Sequence, residues 1–163
     1  MWFIVIMIVV VALVVGPMMM MRPSPAQKNK ENLRATAFAK GIRISVKNLP
    51  QLTTDIEKPA PVPVYFFAPT DHHLDDDWFL LRTSYAHDLH FLQWWEWQGD
   101  LRPTTAEQAA LEAYLPSLPD SVRAVSMGSK GVCVYWQEQG GDPVLQQIIK
   151  LLEVLNALQL RSK

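Results

Sequence analysis

The stretch Ser121–Glu138, SVRAVSMGSKGVCVYWQE, decides how this chain folds. Val122, Ala124 and Ser126 alternate with Arg123, Val125 and Met127; Gly128 to Gly131 supply a turn; Val132, Val134 and Trp136 then alternate with Cys133 and Tyr135. Successive side chains of a strand point to opposite faces, so two alternating runs joined by a glycine-bounded turn predict an antiparallel hairpin.

Outward from the hairpin the signals switch between helix and strand. Downstream, Asp142 caps and Pro143 starts a helix whose Leu145, Ile148, Ile149, Leu152, Leu155 and Leu158 form one stripe. Upstream, Thr104 with Glu107 three residues later is a capping box that opens a helix over Ala109, Ala110, Leu111, Tyr114 and Leu115. Before that come three apolar runs, Leu89–Trp97, Trp78–Ser84 and Val64–Ala68, and an alternating one, Ile42–Lys47, all read as strands. Ser24 as N-cap, Pro25 at the first helical position and Gly41 as the stop predict a further helix. The order implies an α+β domain over residues 42–163, a largely antiparallel sheet with two helices on one face.

The N-terminus reads differently. Trp2 to Val15 contain no polar side chain, and the uncharged run reaches Met21. Roughly 20 such residues match the length a helix needs to cross a bilayer core of about 30 Å, so residues 1–21 are expected to be a transmembrane anchor, with the lipid bilayer as first partner. A cleaved leader needs a basic stretch before the apolar run and small residues at a cleavage point, and neither is present. Arg22 to Lys47 carry seven basic residues against one acid, net +6; the remainder to the C-terminus carries eight against fifteen, net −7. Basic loops beside a span stay in the cytoplasm, which places the N-terminus outside and the domain cytoplasmic. The single cysteine, Cys133, excludes a disulfide within one chain.

Residues 22–41 are thus expected to be a basic juxtamembrane stalk helix, with Arg22, Lys28, Lys30 and Arg34 facing anionic lipid headgroups. The acidic domain beyond them excludes nucleic acid as a partner. The apolar run followed by MRPSPAQKNKENL, with Arg22-Pro23 and then Gln27-Lys28, resembles the juxtamembrane segment of the YajC family, an accessory subunit of the bacterial Sec translocon. That resemblance implies one span, the N-terminus outside, a small cytoplasmic domain at the bacterial inner membrane, and an integral membrane protein complex as partner.

Two features carry the functional expectations. TDHHLDDDWF, Thr70–Phe79, holds His72, His73, Asp75 and Asp77, the candidates for a metal site and a tethered metal-dependent hydrolase. His87 and His90 complete the set of four histidines. If Val64–Ala68 and Trp78–Ser84 pair as neighbours, a strand of about seven residues at roughly 3.3 Å each separates the two histidine groups, so one site cannot use both. No nucleophile elbow, phosphate loop or dinucleotide fingerprint occurs, and neither a cofactor nor catalysis is expected. The second feature is the tryptophan content. Trp78, Trp94, Trp95 and Trp97 are read as a partner-binding surface, since such residues dominate interface energetics. The expected function is a membrane-anchored, non-enzymatic accessory or scaffold protein.

Overall fold

The hairpin forms and occupies the middle of the sheet. In the computed structural model, which describes residues 1–20, 24–51, 59–68, 78–88, 90–128 and 131–161, the chain runs α1 (Trp2–Met20), α2 (Pro25–Ala39), β1 (Arg43–Lys47), β2 (Val62–Phe66), β3 (Trp78–Arg82), β4 (Trp95–Gln98), α3 (Thr105–Tyr114), a short 3-10 turn (Leu115–Ser117), β5 (Val122–Gly128), β6 (Gly131–Trp136) and α4 (Gly141–Arg161). The six strands lie in the order β1-β2-β6-β5-β3-β4, and every neighbouring pair is antiparallel. The α+β architecture is as expected. β2 and β3, however, are not neighbours: the hairpin β5–β6 lies between them. All six residues of β6 are buried, so it needs a partner on both edges and cover on both faces, and only an interior place in the sheet gives it that.

One irregularity alters the expected alternation. Val122 pairs with Trp136 and Ala124 with Tyr135, so Arg123 is an extra residue in β5. This β-bulge turns Val122 onto the same face as Val125 and Met127, where a regular strand would have placed it with Ala124. That face, with Tyr65, Trp78, Leu80, Trp95, Val132, Val134 and Trp136, is covered by Leu33 and Ala37 of α2, Leu111 of α3 and Leu145, Ile148, Leu152 and Leu155 of α4. The opposite face carries Val62, Val64, Leu81, Ala124, Cys133 and Tyr135, against which Leu49, Phe66 and Phe79 lie.

The helix ends follow their local chemistry. Glu107 N–H donates to Thr104 Oγ1 (3.4 Å) and Thr104 N–H to Glu107 Oε2 (2.9 Å), completing the capping box of α3. Ser24 Oγ accepts from Gln27 N–H (3.2 Å) at the start of α2. At its other end Gly41 takes φ +79, with Gly41 N–H donating to Phe38 O (2.9 Å) and Ile42 N–H to Ala37 O (3.1 Å). These are the two bonds of a Schellman motif, and its apolar contact is the buried pair Ile42 and Ala37. α4 begins at Gly141, two residues before the proline that signals it.

The N-terminal helix departs from expectation. Among the described residues no helix is long and apolar enough to cross a membrane. A transmembrane anchor at residues 1–21 is therefore corrected to a helix over Trp2–Met20 whose side chains at positions 2–15 are apolar and exposed. By its internal contacts the chain divides into Met1–Asn32 and Leu33–Lys163; the sheet, α3, α4 and the last turns of α2 belong to the second.

Leu152 is fully buried at the centre of the α4 stripe. Leu152→Ala is expected to cost about 2–5 kcal/mol, seen in urea as a lower midpoint with an unchanged slope.

Candidate functional site

The residues singled out by sequence do not converge. His72, His73, Asp75 and Asp77 lie outside the described residues, as does Arg22. Lys28 and Lys30 are exposed on α2. Arg34, expected at the lipid headgroups, instead turns to the domain: its Nε donates to Glu138 Oε1 (2.6 Å) and its Nη2 to Oε2 (3.0 Å). Tyr65 donates its hydroxyl proton to the same Oε1 (3.0 Å). The Glu138 side chain is 1% exposed and the Arg34 side chain 42%, so the carboxylate is buried and its charge is met by a guanidinium reaching in from the rim. The hydrogen bond to Glu138 holds Arg34 still more firmly protonated. Burial first, and then the negative charge of Glu138, raise the Tyr65 pKa above its ordinary value.

The tryptophans separate by side. Trp78 and Trp95 are each 3% exposed, in the core beneath the helices. Trp97 is half-buried, edge-on to Trp78 (centroids 5.7 Å apart, 89°) with the Arg102 guanidinium over its ring. Trp78 Nε1 is buried with no acceptor among the described residues. Of the four, only Trp94 is exposed, at 39%. The cause is a turn that sequence reading places inside a strand. β4 starts at Trp95, and Trp95 N–H donates back to Leu92 O (2.8 Å) across Gln93, which adopts φ +43. Trp94 is thereby thrown outward, while Trp95 and Trp97, two apart in β4, share the inner face.

This turn belongs to a tightly pinned loop between β3 and β4, which is the candidate site. Thr83 N–H (2.7 Å) and Oγ1–H (3.0 Å) both reach Trp94 O, and Thr83 Oγ1 also lies 2.6 Å from Tyr85 O. Gln93 O accepts the His87 N–H (3.1 Å) and lies 2.6 Å from His90 Nδ1. Phe91 N–H donates to Trp95 O (2.8 Å). The rings of Tyr85 and His90 lie 5.2 Å apart, and those of His87 and His90 5.6 Å.

Two recesses flank Trp94. One, of about 560 Å³, is lined by His87, Asp88, His90 and Phe91; the other, of about 330 Å³, by Arg82, Trp95, Leu115 and Pro116; Leu92, Gln93 and Trp94 form the ridge between them. Arg82 braces the second recess. It lies over the Trp95 ring (5.5 Å), donates to Leu118 O (3.1 Å) and Pro119 O (3.3 Å), and pairs with Asp120.

An exposed tryptophan on a fixed ridge between two hollows is suited to insertion into, or capture by, another surface. The left-handed Gln93 adds a backbone conformation that costs a non-glycine residue energy and is found where function requires a loop to be held. Among the described residues no three His, Cys, Asp or Glu side chains converge to enclose a metal. Cys133 is 2% exposed within β6, where its thiol is shielded from reaction. Sequence reading singled out Trp94 but missed this loop, because nothing in LHFLQWWEW marks Gln93 as the turn residue.

No family model, curated protein or solved structure matches this chain.

Gln93→Gly removes the left-handed penalty and is expected to stabilise the fold by about 1 kcal/mol in denaturant titration, leaving the position of Trp94 unchanged. The raised pKa of Tyr65 also sets the sign of a pH effect. Its contribution to stability is fully present below the unfolded pKa of about 10 and is lost as pH rises through the higher folded value. Thermal unfolding between pH 9 and 11 should show stability falling, and falling less steeply in Tyr65→Phe; burial also raises Tyr135, which acts in the same direction.

Proposed function

We propose that this protein is a membrane-attached accessory or scaffold protein without catalytic chemistry of its own, binding a protein partner through the Thr83–Trp95 loop with Trp94 as anchor. The observation that carries the reading is α1. Its described side chains, Trp2 to Val15, are all exposed apolar groups with no polar face to meet water. Burying such groups is worth about 25 cal/mol per Å², so the helix is driven toward an apolar phase. A lipid surface supplies one.

The exposed Lys28 and Lys30 favour an anionic headgroup region, at about 1 kcal/mol each. Arg34 takes no part, since it is committed to Glu138. Trp94 is the remaining member of the expected tryptophan surface open to a partner, and a large half-exposed indole beside two hollows is the residue type that carries interface energy.

The test is flotation with vesicles of phosphatidylcholine and phosphatidylglycerol. The full chain is expected to rise with the lipid and a chain lacking residues 1–20 to remain below; a full chain that stays below removes the attachment. Trp94→Ala should keep its circular dichroism and flotation while losing the partner retained on mild-detergent purification. Equal partner recovery would remove Trp94 from the interface.

A further inference from the structure

We infer that His87 and His90 form a two-imidazole binding site for a divalent transition-metal ion of the Zn²⁺ or Cu²⁺ kind, using a different histidine pair from the His72 and His73 singled out by sequence and going beyond the docking role proposed above. Three observations converge on it. The first is spacing. The two rings lie with centroids 5.6 Å apart, on a turn closed by His90 N–H donating to His87 O (3.1 Å). Nitrogens about 2.0–2.1 Å from a shared zinc put ring centroids just over about 3 Å from the ion, hence about 5–6 Å from each other at tetrahedral to trigonal angles. The present separation already falls in that range.

The second is the tautomer of His90. A carbonyl oxygen only accepts, so the 2.6 Å contact between His90 Nδ1 and Gln93 O places the proton on Nδ1. The Nε2 lone pair is then the one available to a ligand. A ring N–H given to a backbone carbonyl is the outer contact by which metal-binding histidines are oriented and made more basic.

The third is rigidity. Gln93 O also receives the backbone N–H of His87 (3.1 Å), so the His87 main chain and the His90 ring are held by one carbonyl, and that carbonyl belongs to the left-handed Gln93. The strained residue and the imidazole pair are parts of one arrangement.

The chemistry of the site follows from its donors. Imidazole nitrogen selects borderline ions such as Zn²⁺, Ni²⁺ and Cu²⁺ over Mg²⁺ and Ca²⁺, which want oxygen. Two protein ligands leave coordination positions for water, which the recess of about 560 Å³ beside the rings admits. This is an open, exchangeable site, unlike a closed structural one.

The test titrates the purified full chain with Zn²⁺ alone against a chromophoric chelator at pH 7.5. One equivalent per chain is expected, weakened at least about tenfold in His87→Ala and in His90→Ala, with His72→Ala/His73→Ala unchanged. Nitrogen-resolved NMR of the unmutated chain gives a reading that needs no variant: on adding Zn²⁺ the His90 Nε2 resonance should shift while Nδ1 keeps its proton. Affinity unaltered in both single variants, affinity lost only with His72 and His73, or zinc on His90 Nδ1 would each overturn the site.

Discussion

The burial of β6 on both faces and both edges is the constraint from which the rest of the domain is arranged. A strand buried along its whole length must be flanked, and it takes β2 on one side and β5 on the other. The bulge at Arg123 then lets β5 present Val122, Val125 and Met127 together to the helices. At the far end of the pair, Trp136 Nε1 donates to Gln139 O (3.0 Å) and Ser121 Oγ (3.2 Å), so the largest buried side chain leaves no polar atom unmet. The chain turns there through Glu138 at φ +58, which aims its carboxylate inward at Tyr65 and Arg34. One hairpin therefore seats the core and also fixes the acid that holds the last turns of α2.

The loop that carries Trp94 depends on the same frame at one remove. β3 pairs with β5, β4 pairs among the described residues only with β3, and the residues joining them are held by their own carbonyls and by Arg82 reaching to the end of the α3 segment. Binding loops commonly sit on a rigid scaffold in this way, with few apolar contacts of their own. Holding a tryptophan and two imidazoles on such a loop lowers the ordering cost of any contact they make.

Much of this fold was legible in the residues. Val132, Val134 and Trp136 against Cys133 and Tyr135 declared β6, Thr104 with Glu107 declared α3, and Gly41 declared the end of α2. The hairpin partners β5 and β6 were legible from their short turn, but the separation of β2 from β3 was not, because alternation specifies a face and says nothing about which distant neighbour lies beside it. The bulge at Arg123 was invisible for a related reason: an extra residue breaks the alternation by a single step that a short strand cannot distinguish from noise. The Arg34–Glu138 pair was not legible, because a basic residue near an apolar run has two possible destinations and its buried partner lies 104 residues away. The candidate site was legible as an excess of tryptophan and histidine, with adjacent Trp94 and Trp95 facing opposite ways, but the Gln93 turn that starts β4 at Trp95 leaves no mark in residue type.

The position of β5–β6 in the sheet also governs the order in which the domain can assemble during synthesis. β1 pairs with β2 and β3 with β4, so two peripheral pairs emerge first, and neither has its inner edge satisfied. Both wait for the same late segment. Until β5 and β6 have left the ribosome, the inner edges of β2 and β3 lack their second partners, and the nascent chain carries two apolar strand pairs with open edges. Completion of a single hairpin closes both edges at once, which makes folding of the domain a late, all-or-none event governed by long-range contacts.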